Sequence, residues 1–163
     1  MVTPDKMTQY QAYNMANRTL AKTRQVVMLY DGAIRFLQHA KEAISENRIQ
    51  DRYNALAKVS DIIVGLQSCI DFEKGGDVAR ILFDFYASVD SRVLTIHRTN
   101  SAETCEQLIS EIRQMRDAWD QIDKDMVNQQ GQGSSSGDTL KAAAIPTAMD
   151  APVTDATNIA FSA

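Results

Sequence analysis

Val26, Tyr30, Ala33, Leu37, Ala40 and Ile44 recur at alternating steps of four and three, the spacing of one helix face in a bundle seam. At roughly 100° per residue, Leu29 and Phe36 fall on one flank of that face, and Val27 and Ile34 on the other. Met28 lands nearly opposite. The first long helix therefore carries more apolar surface than a small bundle requires. That surplus is expected to meet a partner.

The pattern repeats three more times. Ile49, Leu56, Val59, Ile63, Leu66 and Ile70 form a second seam, and Val78, Leu82, Phe85, Val89, Val93 and Ile96 a third. Ile81 and Phe83 lie on opposite edges of the third, so it too is apolar over a wide arc. Cys105, Leu108, Ile112, Met115, Trp119, Ile122 and Met126 make a fourth, flanked almost wholly by charge. Prolines stand only at positions 4, 146 and 152, so nothing breaks a helix across the middle of the chain. The fold class expected is all-α: an antiparallel four-helix bundle with helices near 18–47, 50–72, 77–98 and 101–127.

Punctuation fits this division. Asn17 or Thr19 is a candidate cap for the first helix, and Asn47 a stop. Gly75-Gly76 makes a break, with Asp77 capping the third helix, and Asn100 or Ser101 is a cap for the fourth. Gly32, inside the first helix, costs about 1 kcal/mol against alanine, which predicts a neighbour packed closely there. Residues 1–17 are expected as an amino-terminal arm or short helix, and 18–128 as the bundle domain. Residues 129–163, a Gly/Gln/Ser run and then Ala, Thr and Pro, are expected as a disordered tail with one apolar patch, Ile159-Ala160-Phe161.

Composition narrows the function. The chain has 163 residues and a net charge of −4, which argues against nucleic acid as partner, since such binders carry a basic face. The two cysteines, Cys69 and Cys105, sit in apolar helical patterns as small core residues, with a disulfide between them left open. With no apolar run of membrane-spanning length and no signal-peptide core at the amino terminus, no membrane insertion is expected, and the cytoplasm is the expected compartment.

Catalysis finds no support. A bundle metal site needs Glu-x-x-His on two helices, but Phe36 and Leu94 stand three residues before His39 and His97. His39 beside Lys41 is a modest phosphotransfer candidate, without the Gly and Lys pattern such modules carry. Gly75-Gly76 lacks the rest of a phosphate loop. No metal, cofactor or catalytic residue is assigned. Trp119 reads as core from its place in the stripe. Tyr10 and Tyr13, outside the bundle, require a surface to cover them, either the bundle's own or a partner's.

Met28-Leu29-Tyr30-Asp31-Gly32-Ala33-Ile34, then Ala57-Lys58, Ile62-Ile63 and Ile70-Asp71 leading into Gly75-Gly76, are the first marks of a family. Phe85-Tyr86 and Arg116-Asp117-Ala118-Trp119 complete the set. In that order they resemble the flagellin-specific flagellar secretion chaperone family, FliS, across residues 10–122. Ala21-Lys22 replaces the Ser/Thr-Pro pair with which that family usually opens its first long helix. The resemblance implies a helical export chaperone that binds the disordered carboxy-terminal segment of flagellin, prevents premature polymerisation and hands it to a flagellar export gate component. Met28, Leu29, Tyr30 and Asp31 carry the family motif. Val27, Ile34 and Phe83 are the positions that helix geometry offers for a client groove, with Tyr10 or Tyr13 as aromatic contacts. The alternative is a helical dimerisation or adaptor module without an export role. A homodimer in the client-free state is open under either reading.

Overall fold

In the computed structural model, which describes residues 4–131, the chain is four helices and their turns: α1 (Pro4–Ser45), α2 (Ile49–Ser68), α3 (Phe72–Thr99) and α4 (Ala102–Gly131). Successive helices run antiparallel, and the side-chain links fix their register. Lys41 meets Glu106, Asp31 meets Arg116 and Arg24 meets Asp123, so α1 and α4 pass in opposite directions. Ser60 meets Asp90 and Tyr53 meets His97 between α2 and α3, while Arg92 meets Glu111 between α3 and α4. The expected antiparallel bundle is the observed one.

The seams are the expected ones with informative exceptions. Val26, Tyr30, Ala33, Leu37, Ala40, Leu56, Val59, Ile63, Leu66, Leu82, Val89, Val93, Ile96, Leu108, Ile112 and Trp119 are all buried in one core. Ile49 is not: at the first position of α2 it lies below the core and is 69% exposed. Tyr86, not its neighbour Phe85, is the fully buried aromatic of α3. That helix is interrupted nearer its start, where Gly76 has φ 50° and ψ −125°. Cys69 and Cys105 are both free and buried, near opposite ends of the bundle.

Local chemistry explains the helix ends. α1 stops where Asn47 enters the left-handed region (φ 56°), with Arg48 N–H on the Ala43 carbonyl at 2.8 Å and Asn47 N–H on Ile44 at 3.2 Å. α3 begins earlier than expected, because Asp71 rather than Asp77 caps it, its Oδ1 accepting from the Glu73 and Lys74 amides at 3.0 Å. Asn100, also left-handed, closes α3, and Ser101 Oγ caps α4 on the Thr104 amide.

The largest difference lies at the start. α1 runs unbroken from Pro4, a residue suited to a first helical turn, so Asn17 and Thr19 are interior and cap nothing. At the other end, α4 continues through Gly131, three residues into the expected linker. The expectation for 132–163 falls outside the described residues. By the register of Arg24 on Asp123, Gly131 stands level with Ala16 of α1, and α2 has already ended. Residues 4–15 thus carry α1 roughly 18 Å past the described ends of α2 and α4 at 1.5 Å per residue.

Gly32 is buried where α1 crosses α2, and a Cβ placed on it would stand 3.4 Å from Ile62 Cδ1. That is room for a methyl group and nothing larger. Gly32→Ala is expected to hold or raise stability, by up to about 1 kcal/mol from helix propensity. Gly32→Leu should lose about 1–3 kcal/mol to overpacking. Urea melts of the two variants check this; an equally stable leucine variant would contradict the close crossing.

Candidate functional site

Two features stand out: a polar junction locked inside the bundle, and an apolar strip left outside it. The junction joins three helices. Tyr30 of α1 and Tyr86 of α3 place their hydroxyls 2.6 Å apart in the core, with the Trp119 indole of α4 close by. Just outside, Arg116 of α4 donates from Nε to Asp31 Oδ1 (2.9 Å) and from Nη2 to Oδ2 (3.4 Å). Further along the α1–α4 seam, Thr23 Oγ1 donates to the buried Asp123 carboxylate at 2.9 Å, and Arg24 pairs with its other oxygen.

Burial, above all, raises the pKa of both tyrosine hydroxyls and so opposes their ionisation. For Tyr30 the charge of Tyr86 and their shared hydrogen bond add to this and the indole opposes it; for Tyr86 the Tyr30 hydrogen bond opposes it. An unfolded tyrosine ionises near pH 10. Their folded-state values lie higher, so this stabilisation is complete below pH 10 and lost as pH rises toward the folded values. The urea midpoint should therefore fall between pH 8 and pH 11, and fall less in the Tyr30→Phe/Tyr86→Phe double variant. Equal alkaline losses in both proteins would contradict the coupling.

The strip is on the far side. Tyr53, Ala57, Ser60 and Val64 line one face of α2 at steps of four, three and four. Phe83, Ala87, Asp90, Leu94 and His97 do the same on α3. Ser60 Oγ on Asp90 Oδ1, 2.9 Å, sets the rows side by side. In that register Leu94 stands level with Ala57, and Val64 with Ala87, so large side chains of one row alternate with small ones of the other. Tyr53 (57%), Val64 (55%), Phe83 (40%) and Leu94 (59%) are well exposed, and Phe72, stacked on Phe83 at 5.7 Å, extends the strip to the front of α3. At its other end Tyr53 packs on His97 at 5.5 Å. Burial first, and then the Arg52 charge, lower the His97 pKa, which keeps the imidazole neutral at pH 7 and leaves Asp90 as the carboxylate of the two rows.

The residues expected to meet a client divide accordingly. Phe83 lies on the strip. Val27 and Ile34 do not line an open groove: each is 8% exposed, because their flank of α1 faces α4, the side on which Thr23 and Lys41 find their partners. Leu29, on the opposite flank, is buried toward α2, and Tyr30 is wholly internal. The apolar surplus of α1 therefore belongs to the scaffold: this helix is embraced on both sides, and its packing on α4 and α2 is the most extensive in the molecule. Met28 is exposed and Asp31 half-exposed in its ion pair. Tyr10 and Tyr13 lie on the projecting part of α1, and their side chains fall outside the described residues. Met15, in line with the core stripe but beyond α2, is 71% exposed there. Tyr53, Val64, Phe72 and Leu94 were not among the expected contacts, although the α2 and α3 rows are present in the sequence as second stripes at helical spacing.

The family model described as flagellar protein FliS matches residues 6–126 of the chain. Three named relatives are each described as a flagellar secretion chaperone FliS. The Vibrio cholerae protein is 35% identical over 97 residues, 60% of this chain and 71% of the relative. The Salmonella typhimurium protein is 32% identical over 98 residues, 60% and 73%. The Campylobacter jejuni protein is 26% identical over 114 residues, 69% and 89%.

Proposed function

The chain belongs to the flagellar protein FliS family, and from that premise we propose that it is a flagellar secretion chaperone whose client is the carboxy-terminal segment of flagellin. The client folds as amphipathic helix along the α2–α3 strip, is held from polymerising, and is handed to the flagellar export gate. The observation that supports this beyond family membership is the strip itself. Two parallel rows of apolar side chains stand uncovered on a bundle whose core is already complete, which is the surface a helix-in-groove partner uses. The projecting turns of α1, with Met15 uncovered and Tyr10 and Tyr13 on the same segment, offer a second place for the client to continue.

Such binding orders a disordered client and recovers that entropy by apolar burial, at about 25 cal/mol per Å². Titrating a flagellin carboxy-terminal peptide into the protein by calorimetry should show a markedly negative heat-capacity change and little response to salt between 50 and 500 mM. Absence of binding by any flagellin carboxy-terminal segment would end the reading. Self-association that buries the strip, with no peptide affinity, would favour the dimerisation module instead.

A further inference from the structure

We infer that Asp90 fixes the register of the client on the α2–α3 strip. The client helix must bring one hydrogen-bond donor side chain to this carboxylate, set four residues from one apolar anchor and seven from another. This rests on the proposed function and names what the strip selects. Asp90 stands mid-way along the α3 row, between Ala87 and Leu94, and its Oδ1 accepts from Ser60 Oγ of the α2 row at 2.9 Å. Both side chains are half-buried, with the exposed Val64, Phe83 and Leu94 around them. Among the described residues no lysine or arginine forms an ion pair with Asp90. The two nearest along the rows turn away: Arg92 pairs with Glu111 of α4, and Lys58 lies over the Phe36 ring of α1 at 5.1 Å. His97 stands two turns further along α3, about 10.5 Å away at 1.5 Å per residue.

On the open strip this carboxylate faces solvent and is tolerated. A helix laid across Val64, Phe83 and Leu94 cuts it off from water, and a charge with a single hydroxyl partner in an apolar interface is strongly disfavoured. A donor on the client restores the pairing. A client without one, or one shifted by a turn, leaves the charge unpaired beneath it. One polar position in an apolar seam thus lowers affinity and specifies register, as a lone polar residue does in a coiled coil. The spacing follows from α3 itself. Leu94 lies four residues beyond Asp90, about 6 Å along the axis, and Phe83 seven residues before it, about 10.5 Å. A client helix has the same rise, so its donor and two anchors recur at those steps on one face.

Calorimetry on double-mutant cycles tests it. Each Lys, Arg, Asn, Gln, Ser and Thr of the flagellin carboxy-terminal peptide is replaced in turn by alanine, and each peptide is titrated into the parent, Asp90→Leu and Ser60→Ala proteins. One replacement, at the stated spacing, should weaken binding to the parent by about ten- to a hundredfold, the range for a hydrogen bond to a charged group. The same replacement should change binding to Asp90→Leu by about twofold or less. Ser60→Ala removes only the inner partner and should keep the full dependence. Asp90→Asn keeps the shape without the charge, should show a weaker dependence, and replaces the leucine variant if that variant fails to fold. A purely structural Asp90 would shift all peptides alike. Such a uniform shift, or a coupled position off the stated spacing, would overturn the inference and leave flagellin as the client. No binding of the unmodified peptide to the parent would instead end the proposed function, and this inference with it.

Discussion

Replacing Trp119 with alanine is expected to cost about 3–5 kcal/mol of folding stability, the usual range for a large aromatic removed from a core. The indole is 1% exposed and is the largest fully buried side chain in the molecule. Its loss leaves a cavity where α4 meets α1, beside Tyr30. Trp119→Phe keeps most of the volume and should lose less. Urea denaturation should rank the proteins parent, phenylalanine variant, alanine variant. A loss under about 1 kcal/mol for alanine would mean that the junction does not organise the core.

The family motifs gain a physical meaning from this junction. Tyr30 and Asp31 in the first motif face Trp119 and Arg116 in the last, one pair inside the bundle and the other at its rim. They hold the longest helix to the final one across most of the sequence. Substitution here is expected to act first on stability.

Much of this was legible in the sequence. The absence of proline between positions 4 and 146 and the four stripes at steps of three and four specify the helices and their order. Asn47 and Ser101 mark two of the turns, whereas the glycine pair falls inside α3 and Asp71 marks the turn before it. What a helical stripe cannot say is which flank has a neighbour. Val27 and Ile34 look like spare surface on a wheel, yet α4 occupies that side of α1 from Thr23 to Lys41. Conversely, α3 packs more thinly on its neighbours, so Phe83 and Leu94 stay open. Between Leu82 and Val89 the inner position can fall at a step of three or of four, and α3 takes four, so Tyr86 rather than Phe85 turns inward. The start of α1 was hidden for another reason. A polar amino-terminal stretch reads as an arm, and Pro4 signals a helix start only once the helix is known to continue through Asn17.

Phe83→Asp and Leu94→Asp are expected to weaken the flagellin segment by about ten- to a hundredfold while leaving the bundle folded, and Ile34→Asp is expected to unfold it. Both strip side chains stand on solvent-facing positions, where substitutions change stability by about 0.5 kcal/mol or less. A carboxylate on an apolar docking face must be desolvated when a helix covers it, and hot-spot losses of about 2 kcal/mol or more result at central interface positions. At 1.4 kcal/mol per tenfold, that is the predicted range. Ile34, at 8% exposure against α4, meets the opposite fate, since a charge there has no partner and no water. Thermal melts and peptide calorimetry on the three proteins decide between strip and flank. If the strip variants bind like the parent, the client lies elsewhere, with the projecting turns of α1 next to be tested through Met15→Asp. If Ile34→Asp folds normally and alone loses the client, the α1 flank is the groove after all, and α4 must move aside to open it.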